Sequence, residues 1–209
     1  MKIFILTFIL VINLQGIFGH GKVTDPVNRL SAWRKGFKTP PNYTDNQGFC
    51  GGKEIQHSIN NGNCGICGDD YRLSRPRPTE NGGTYGTGTI VKTYKSGEII
   101  DVEVNISAAH KGYFIFNLCP LKYDKELEEE ECFIPLKLAD GNKSYDMENK
   151  GPGIINIKVI LPNGLTCKHC VFRWEYITGN SWGICNDGKG QTGCGPQENF
   201  KSCSDISIQ

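Results

Sequence analysis

The sequence has almost no net charge and no cluster of basic residues. Lysine and arginine total 23 against 22 aspartates and glutamates, which gives a formal net charge of +1 at pH 7. A chain of this kind offers no electrostatic footprint for nucleic acid or for an anionic membrane surface. We therefore expect neither of them as a partner.

The sequence also lacks a sustained helical period, internal repeats and low-complexity linkers. Its one long apolar run, "IFILTFILVINL" at residues 3–14, is too short to span a membrane comfortably. The run follows a single positive charge and has the form of a secretory signal peptide. We expect cleavage after Gly19, with Gly16 as an alternative, so that residues 1–19 are the signal peptide. Residues 20–209 would then form a single domain that is secreted to the extracellular space.

Cysteine, by contrast, is abundant. Ten cysteines follow the predicted signal peptide, and an even number in an exported chain indicates up to five disulfides, although their pairing cannot be read from sequence. The motifs "CGIC" at 64–67 and "CKHC" at 167–170 offer zinc as an alternative, but zinc ribbons place two such pairs much closer together. Three sequons predict a glycoprotein: they begin at Asn42, Asn105 and Asn142.

Short segments of alternating polarity dominate the second half of the chain. In "EIIDVEVNIS" (98–107), apolar side chains alternate with Asp, Glu and Asn, which is typical of a half-buried strand. Similar patterns at 112–120, 154–161 and 170–180, with a short final one near 201–209, predict an all-β fold. We expect an antiparallel β-sandwich of the immunoglobulin or fibronectin-III type, stapled by disulfides. Trp174, Tyr176 and Trp182 are expected in its core or corners.

Two other segments do not read as strands. Residues 21–88 show no apolar period, and an irregular region of that length is usually functional. We expect it to decorate one end of the sandwich and to supply a flat binding face. The acidic run "DKELEEEE" (124–131) is expected to be solvated.

Two of the four histidines suggest a metal site. Cleavage after Gly19 would give His20 a free α-amine beside its imidazole, and His110 lies in a loop between two predicted strands. A lone loop histidine is more often simply solvated. Together, however, the two residues would offer three nitrogens, a set that suits copper. A free α-amine has a pKa near 8, so a metal can displace its proton at neutral pH.

Four motifs give the chain a resemblance to a known family. They are "HGKVTDPVNR" at 20–29, "SAAHKGYFIF" at 107–116, "FRWEYITGNSWGIC" at 172–185 and "GCGPQENFKSCSDISI" at 193–208. These motifs resemble the lytic polysaccharide monooxygenases, and most closely the animal-type group classed as auxiliary-activity family fifteen. They are spread over residues 20–209, so the resemblance covers the whole expected domain.

The resemblance implies specific roles for residues of this chain. One copper ion would be bound by a histidine brace made of His20 and His110. Phe200 matches the axial aromatic residue, where a phenyl ring shields the metal without donating oxygen, and Ala108 matches a small residue on the opposite axial side. Either of these two could instead be an ordinary packing residue.

Gln197 is the candidate for a polar group that hydrogen-bonds the reactive oxygen. Glu198 is the alternative for this role. Solvated loop residues remain the simpler interpretation for at least one of the two.

The implied activity is the oxidative cleavage of crystalline chitin or cellulose, with chitin slightly preferred. It needs an external electron donor and either hydrogen peroxide or dioxygen as co-substrate. The expected partner is the insoluble polysaccharide, and the chain is expected to act as a monomer. Two alternatives keep the same fold: a secreted copper-binding or copper-delivery protein, and a glycan-binding protein without catalysis. A glycoside hydrolase with paired carboxylates is disfavoured.

Overall fold

A computed structural model describes residues 20–209, so the predicted signal peptide lies outside the described residues. None of the helices in this part of the chain is long and apolar enough to cross a membrane. Three short helical turns occur, at Ala32–Lys35, Ile55–Ile59 and Glu130–Cys132. The strands are β1 His20–Asp25, β2 Lys92–Tyr94, β3 Ile99–Ala108, β4 Gly112–Pro120, β5 Ile134–Pro135, β6 Lys137–Leu138, β7 Tyr145–Asp146, β8 Gly153–Ile160, β9 Cys167–Thr178, β10 Trp182–Ile184, β11 Gly190–Thr192 and β12 Asn199–Ile208.

The strands form two main sheets and one separate hairpin. One sheet has the order β1-β3-β8-β6, and the other has the order β2-β12-β9-β4-β5 with β7 also paired to β4. All these pairs are antiparallel except β2 with β12. The hairpin consists of β10 and β11. The fold is the predicted β-sandwich.

The core lies between the inner faces of the two sheets, where alternation along the sequence predicts it. Inward-facing side chains of β3 pack against those of β4 and β9 in one cluster. Phe114, Phe116, Phe172, Trp174 and Tyr176 are all fully buried there. The expected burial of Trp174 and Tyr176 is therefore confirmed.

The first strand was not expected. In β1 only Gly21 and Val23 are buried, and a glycine carries no apolar signal, so the alternation cannot be seen in the sequence. β1 nevertheless pairs with β3 along its length. This pairing fixes His20 at the edge of the first sheet.

The irregular segment between β1 and β2 does more than decorate one end of the sandwich. Its backbone bonds along the edge of β12: Lys201 N donates to Gly48 O, Arg29 N to Cys203 O and Val91 N to Asp205 O. These contacts run from Lys201 to Asp205, and the pairing of β12 with β2 begins at the next residue, Ile206. The segment therefore covers a strand edge that would otherwise be exposed.

All ten cysteines form disulfides, so no thiolate is left for zinc and the zinc alternative is wrong. The two cysteines of "CGIC" have different partners, whereas those of "CKHC" bond to each other. The pairs are Cys50–Cys64, Cys67–Cys203, Cys119–Cys132, Cys167–Cys170 and Cys185–Cys194.

A buried ion-pair cluster links the irregular segment to β12. Arg29 donates through Nε and Nη2 to both carboxylate oxygens of Asp205, at 2.9 and 2.6 Å, and through Nη1 to Glu128. His169 Nε2 lies 2.7 Å from Asp205 Oδ1. Glu128 is completely buried, so the expectation of a solvated acidic run is wrong at this residue. We call Arg29, Glu128, His169 and Asp205 the ion-pair cluster.

Candidate metal centre

The two predicted ligands come together where β1 begins and β3 ends. His20 is the register partner of Ala108 in the β1–β3 pair, and His110 follows Ala108 by two residues. The charge of His20 also contributes to lowering the pKa of His110. The structure therefore brings His20, Ala108 and His110 to one place.

The imidazole of His110 is suited to bind a metal. Burial, followed by the charge of His20, lowers its pKa below the ordinary histidine value, and this favours the neutral form that ligates metals. Within residues 20–209 its buried Nε2 atom has no hydrogen-bond partner. Tyr94 Oη and Trp174 Nε1 are also buried and unpaired. His110 differs from them because it follows the register partner of a second histidine, His20, by two residues.

Tyr176 holds the backbone of His110 in place. Its hydroxyl accepts a hydrogen bond of 2.9 Å from His110 N and donates one to His110 O. Burial, assisted by the charge of Glu198, raises the pKa of Tyr176 to about 12 against the opposing effect of the hydrogen bond with His110. The hydroxyl therefore stays protonated and can donate. Sequence alternation correctly placed Tyr176 in the core, but gave no indication of this contact.

Phe200, on β12, lies beside His20. It is the register partner of Tyr176 in the β12–β9 pair, and it is almost completely buried. Its ring centroid is 6.5 Å from that of His20 and 6.1 Å from that of Tyr176. The ring places hydrocarbon beside His20, and the role of Phe200 in shielding a metal stays a prediction.

The irregular segment holds β1 from the other side. Lys22 Nζ of β1 forms a 2.8 Å ion pair with Asp45, and Gln47 Nε2 lies 3.5 Å from His20 Nε2. Ser107 Oγ donates to His20 O at 3.2 Å and accepts from Asn46 Nδ2 at 3.4 Å. The sequence gave no signal for these contacts, because they join segments that lie far apart in the chain.

The two polar candidates before Phe200 have different surroundings. The amide of Gln197 accepts a hydrogen bond from Ser181 N and donates to the carbonyl oxygens of Ser181 and Cys194. These contacts anchor the β10–β11 hairpin, and a role for Gln197 at the metal stays a prediction. The carboxylate of Glu198 is close enough to Tyr176 to raise its pKa, so Glu198 is electrostatically linked to the residue that positions His110.

Trp182 is not in the core, contrary to expectation. It begins β10, outside both main sheets, and the residue is 65% exposed. The sequence pattern is misleading here because β9 ends at Thr178 and the chain leaves the sandwich before Trp182. The other two histidines are separate from the site: His57 Nε2 lies 2.7 Å from Gln197 O, and His169 belongs to the ion-pair cluster.

Two imidazoles, one with a buried and unpaired nitrogen, form a donor set that fits copper. No free cysteine is available as a thiolate ligand. Imidazole binds copper and other transition metals, whereas hard cations such as Mg²⁺ and Ca²⁺ prefer oxygen ligands. If the chain is cut before His20, its α-amine would add a third nitrogen to this set. Copper therefore fits the residues that the fold gathers here.

Comparison with known proteins extends these observations. A family described as "Lytic polysaccharide mono-oxygenase, cellulose-degrading" matches residues 20–206. The chain is similar to a lytic polysaccharide monooxygenase of family AA15 from Thermobia domestica, solved in the Cu(I) state. The two share 45% identity with a TM-score of 0.88, over 90% of this chain and 98% of that chain.

Two other solved structures are more distant. A cellulose-active lytic polysaccharide monooxygenase, solved in complex with copper, has 16% identity and a TM-score of 0.48 over 90% of this chain and 98% of that one. A monooxygenase of the same type from Micromonospora aurantiaca has 16% identity and a TM-score of 0.47 over 90% and 99%. The search of curated proteins found no match.

Proposed function

The chain belongs to the lytic polysaccharide monooxygenases, and from this we propose that it holds its copper in a histidine brace formed by His20 and His110 and cleaves crystalline chitin or cellulose. Family membership makes it a copper-dependent oxidative enzyme that acts on polysaccharide. The two alternatives without catalysis are therefore not retained. The observation that carries the brace is the buried, unpaired Nε2 of His110, two residues after Ala108, the register partner of His20.

The residues of the chain hold and orient the site. His20 would contribute its α-amine and ring, and His110 its ring, while Tyr176 fixes the backbone of His110. When bound, copper supplies the one-electron chemistry that, with an external electron donor and hydrogen peroxide or dioxygen, oxidises a C–H bond beside the glycosidic linkage. Phe200 and Ala108 would limit access to the site, and the buried ring of Phe200 would exclude water from its side.

The brace depends on removal of the predicted signal peptide. Before cleavage, the nitrogen of His20 belongs to an amide and cannot act as an amine ligand. Export, cleavage after Gly19 and assembly of the metal site would then be one sequence of events. A secreted, monomeric domain that works at the surface of an insoluble polymer is consistent with this and with its disulfides.

The proposal is tested with the mature chain, beginning at His20, loaded with copper and supplied with ascorbate. Soluble products from chitin and from cellulose are analysed by mass spectrometry. We expect oxidised oligosaccharides from at least one polymer, their loss in His110→Ala, and their retention in the control His57→Ala. Products that persist in His110→Ala would contradict the proposed brace.

A second version of the chain tests the role of the terminus. One extra residue before His20 replaces the amine by an amide, so we expect copper affinity measured by calorimetry to fall at least about 100-fold, since a direct ligand matters more than its supporting groups. Equal affinity of the two versions would rule out the brace while leaving the monooxygenase activity open.

A further inference from the structure

The β10–β11 hairpin exposes two large apolar side chains to solvent. Trp182 and Ile184 lie on the same face of β10, since they are two residues apart in a strand, and they are 65% and 56% exposed. We propose that this hairpin is a polysaccharide-binding element and that Trp182 is its main contact with the polymer. This inference rests on the proposed function.

The indole ring of Trp182 is held in place from below. A β-carbon built on Gly190 would lie 2.2 Å from Cζ2 of Trp182, so the ring packs against the bare backbone of this glycine across the hairpin. Any side chain at Gly190 would displace the ring. The ring is therefore oriented before it meets a ligand, while most of its surface remains open to solvent.

The hairpin itself is fixed to the sandwich. The disulfide Cys185–Cys194 closes it, and the amide of Gln197 bonds to the backbone of Ser181 and Cys194 at its base. Gly183 faces inward, where a β-carbon would lie 2.1 Å from Cys194 O. A surface held this firmly loses little conformational entropy when it binds a partner.

The hairpin lies next to the loop that carries His110. Gly179 N donates a 2.7 Å hydrogen bond to the carbonyl oxygen of Lys111, the residue after His110. Trp182 follows Gly179 by three residues, so their Cα atoms are at most about 11 Å apart. A chain of sugar rings that reaches the metal could therefore also contact Trp182.

The chemistry of the surface fits a neutral polymer. Between Gly179 and Gln197 the sequence contains two charged residues, Asp187 and Lys189, and these lie 3.8 Å apart at the tip of the hairpin. An acidic polysaccharide would require arginine or lysine, which the exposed face of β10 does not offer. The apolar C–H face of a pyranose ring matches an exposed indole, as apolar ligand surfaces match aromatic ones in general. The ligand of this surface is therefore an uncharged β-1,4-linked glycan chain at the surface of a crystalline polymer.

The test measures binding separately from oxidation. Depletion isotherms of the copper-loaded mature chain on powdered chitin and on microcrystalline cellulose are compared for the wild type, Trp182→Ala and Trp182→Tyr. We expect Trp182→Ala to weaken binding about tenfold, in line with the loss of one aromatic contact, and Trp182→Tyr to retain most of it. Gly190→Ala should weaken binding as well, because it displaces the ring.

Tyr123→Ala is the matched control. Tyr123 is similarly exposed, at 64%, but follows the far end of β4 and should not contact the substrate. Calorimetry should give the same copper affinity for all variants.

Unchanged binding of Trp182→Ala, or an equal loss in Tyr123→Ala, overturns the inference and leaves the proposed function intact. If the wild type releases no oxidised products but Trp182→Ala still lowers binding, the proposed function fails and the binding element stands.

Discussion

β12 contributes residues to two groups of polar side chains, the ion-pair cluster and the candidate metal centre, which differ in whether their buried polar atoms have hydrogen-bond partners. In the ion-pair cluster, every nitrogen of the Arg29 guanidinium has at least one acceptor, and Asp205 also contacts His169. At the metal centre, by contrast, His110 Nε2 is buried without a partner in the described chain. The first cluster is complete as it stands, whereas the second has a position for a ligand. The fully buried ion-pair cluster can thus serve stability, while the half-buried candidate metal centre can serve function.

The largest effect is expected from breaking the complete cluster. Arg29→Leu leaves the carboxylates of Asp205 and Glu128 buried without their cation, and removal of one partner from a buried ion pair costs about 3–5 kcal/mol. Denaturant unfolding measures this loss. The control Arg34→Leu, which removes a partly exposed partner of Asp45, should cost about 1 kcal/mol or less. Equal losses in the two variants would mean that the cluster contributes no special stability.

At the candidate metal centre we expect a small loss of stability and a large loss of copper affinity. His110→Ala would remove the proposed metal ligand but no hydrogen bond that the imidazole makes within residues 20–209, so the metal-free chain should lose less than about 1 kcal/mol of stability. Its copper affinity should fall more than about 100-fold, beyond the effect of losing a supporting group. Calorimetric titration measures the affinity, and unfolding of the metal-free chain measures the stability. A strongly destabilised but copper-binding variant would reverse our assignment of the two clusters.

Tyr176→Phe tests the link between the core and the metal centre. The hydroxyl serves both backbone groups of His110, so its removal should lower copper affinity about tenfold and cost about 1–2 kcal/mol of stability. The electron paramagnetic resonance spectrum of the bound copper should change as well.

Tyr94→Phe provides the control, since the buried hydroxyl of Tyr94 has no partner within residues 20–209. It should leave both copper affinity and stability nearly unchanged. If Tyr176→Phe behaves like Tyr94→Phe, the hydroxyl does not position His110.

Acid should weaken the ion-pair cluster. Burial alone would raise the pKa of Asp205, but the charge of Arg29 and the hydrogen bonds from His169 and Arg29 outweigh it and hold the pKa below the ordinary value of 3.8. A carboxylate with a lowered pKa contributes stability above its unfolded pKa, and this contribution is lost as the pH falls below about 4.

The pH dependence of unfolding measures this contribution. In this range Asp205→Asn should have a shallower slope than the wild type, by at most about 1.4 kcal/mol per pH unit. Identical slopes would show that Asp205 does not titrate differently in the folded and unfolded chains.

The smallest effect is expected at the surface. Lys158 and Asp101 form a 2.7 Å ion pair on exposed positions of β8 and β3. Lys158→Ala should cost about 0.5 kcal/mol or less, because water and salt screen such pairs. A loss comparable to that of Arg29→Leu would indicate that burial is not what separates the two pairs.

The parts of the fold that could be predicted are those with a strong local pattern. β3 alternates over eight residues, and β4, β8 and β9 each contain a shorter alternating stretch, which the two sheets satisfy with one buried and one more exposed face. β1 could not be predicted, because one of its two inward positions is a glycine. The burial of Glu128 and the exposure of Trp182 also escaped prediction. Both depend on where distant segments pack, which neither residue type nor spacing records.

The candidate site was predictable to a different degree. The pairing of His20 with the His110 region follows from family resemblance, and the β1–β3 register supplies its physical basis. The roles of Tyr176, Gln47 and Ser107 could not be foreseen, since each depends on a contact between segments far apart in sequence. Which polar side chain acts near the reactive oxygen stays a prediction.

The disulfide pattern has a consequence for survival among proteases. A cut anywhere inside a disulfide loop leaves the fragments joined, and Cys67–Cys203 alone encloses most of the chain. Within residues 20–209, the stretches outside every loop are 20–49, the short link 65–66 and 204–209. The first of these carries His20 and the exposed tryptic sites Arg34, Lys35 and Lys38. One nick there would leave the segment that begins with His20 held by strand pairing and by the contacts of Arg29, with no disulfide to join it to the rest of the chain.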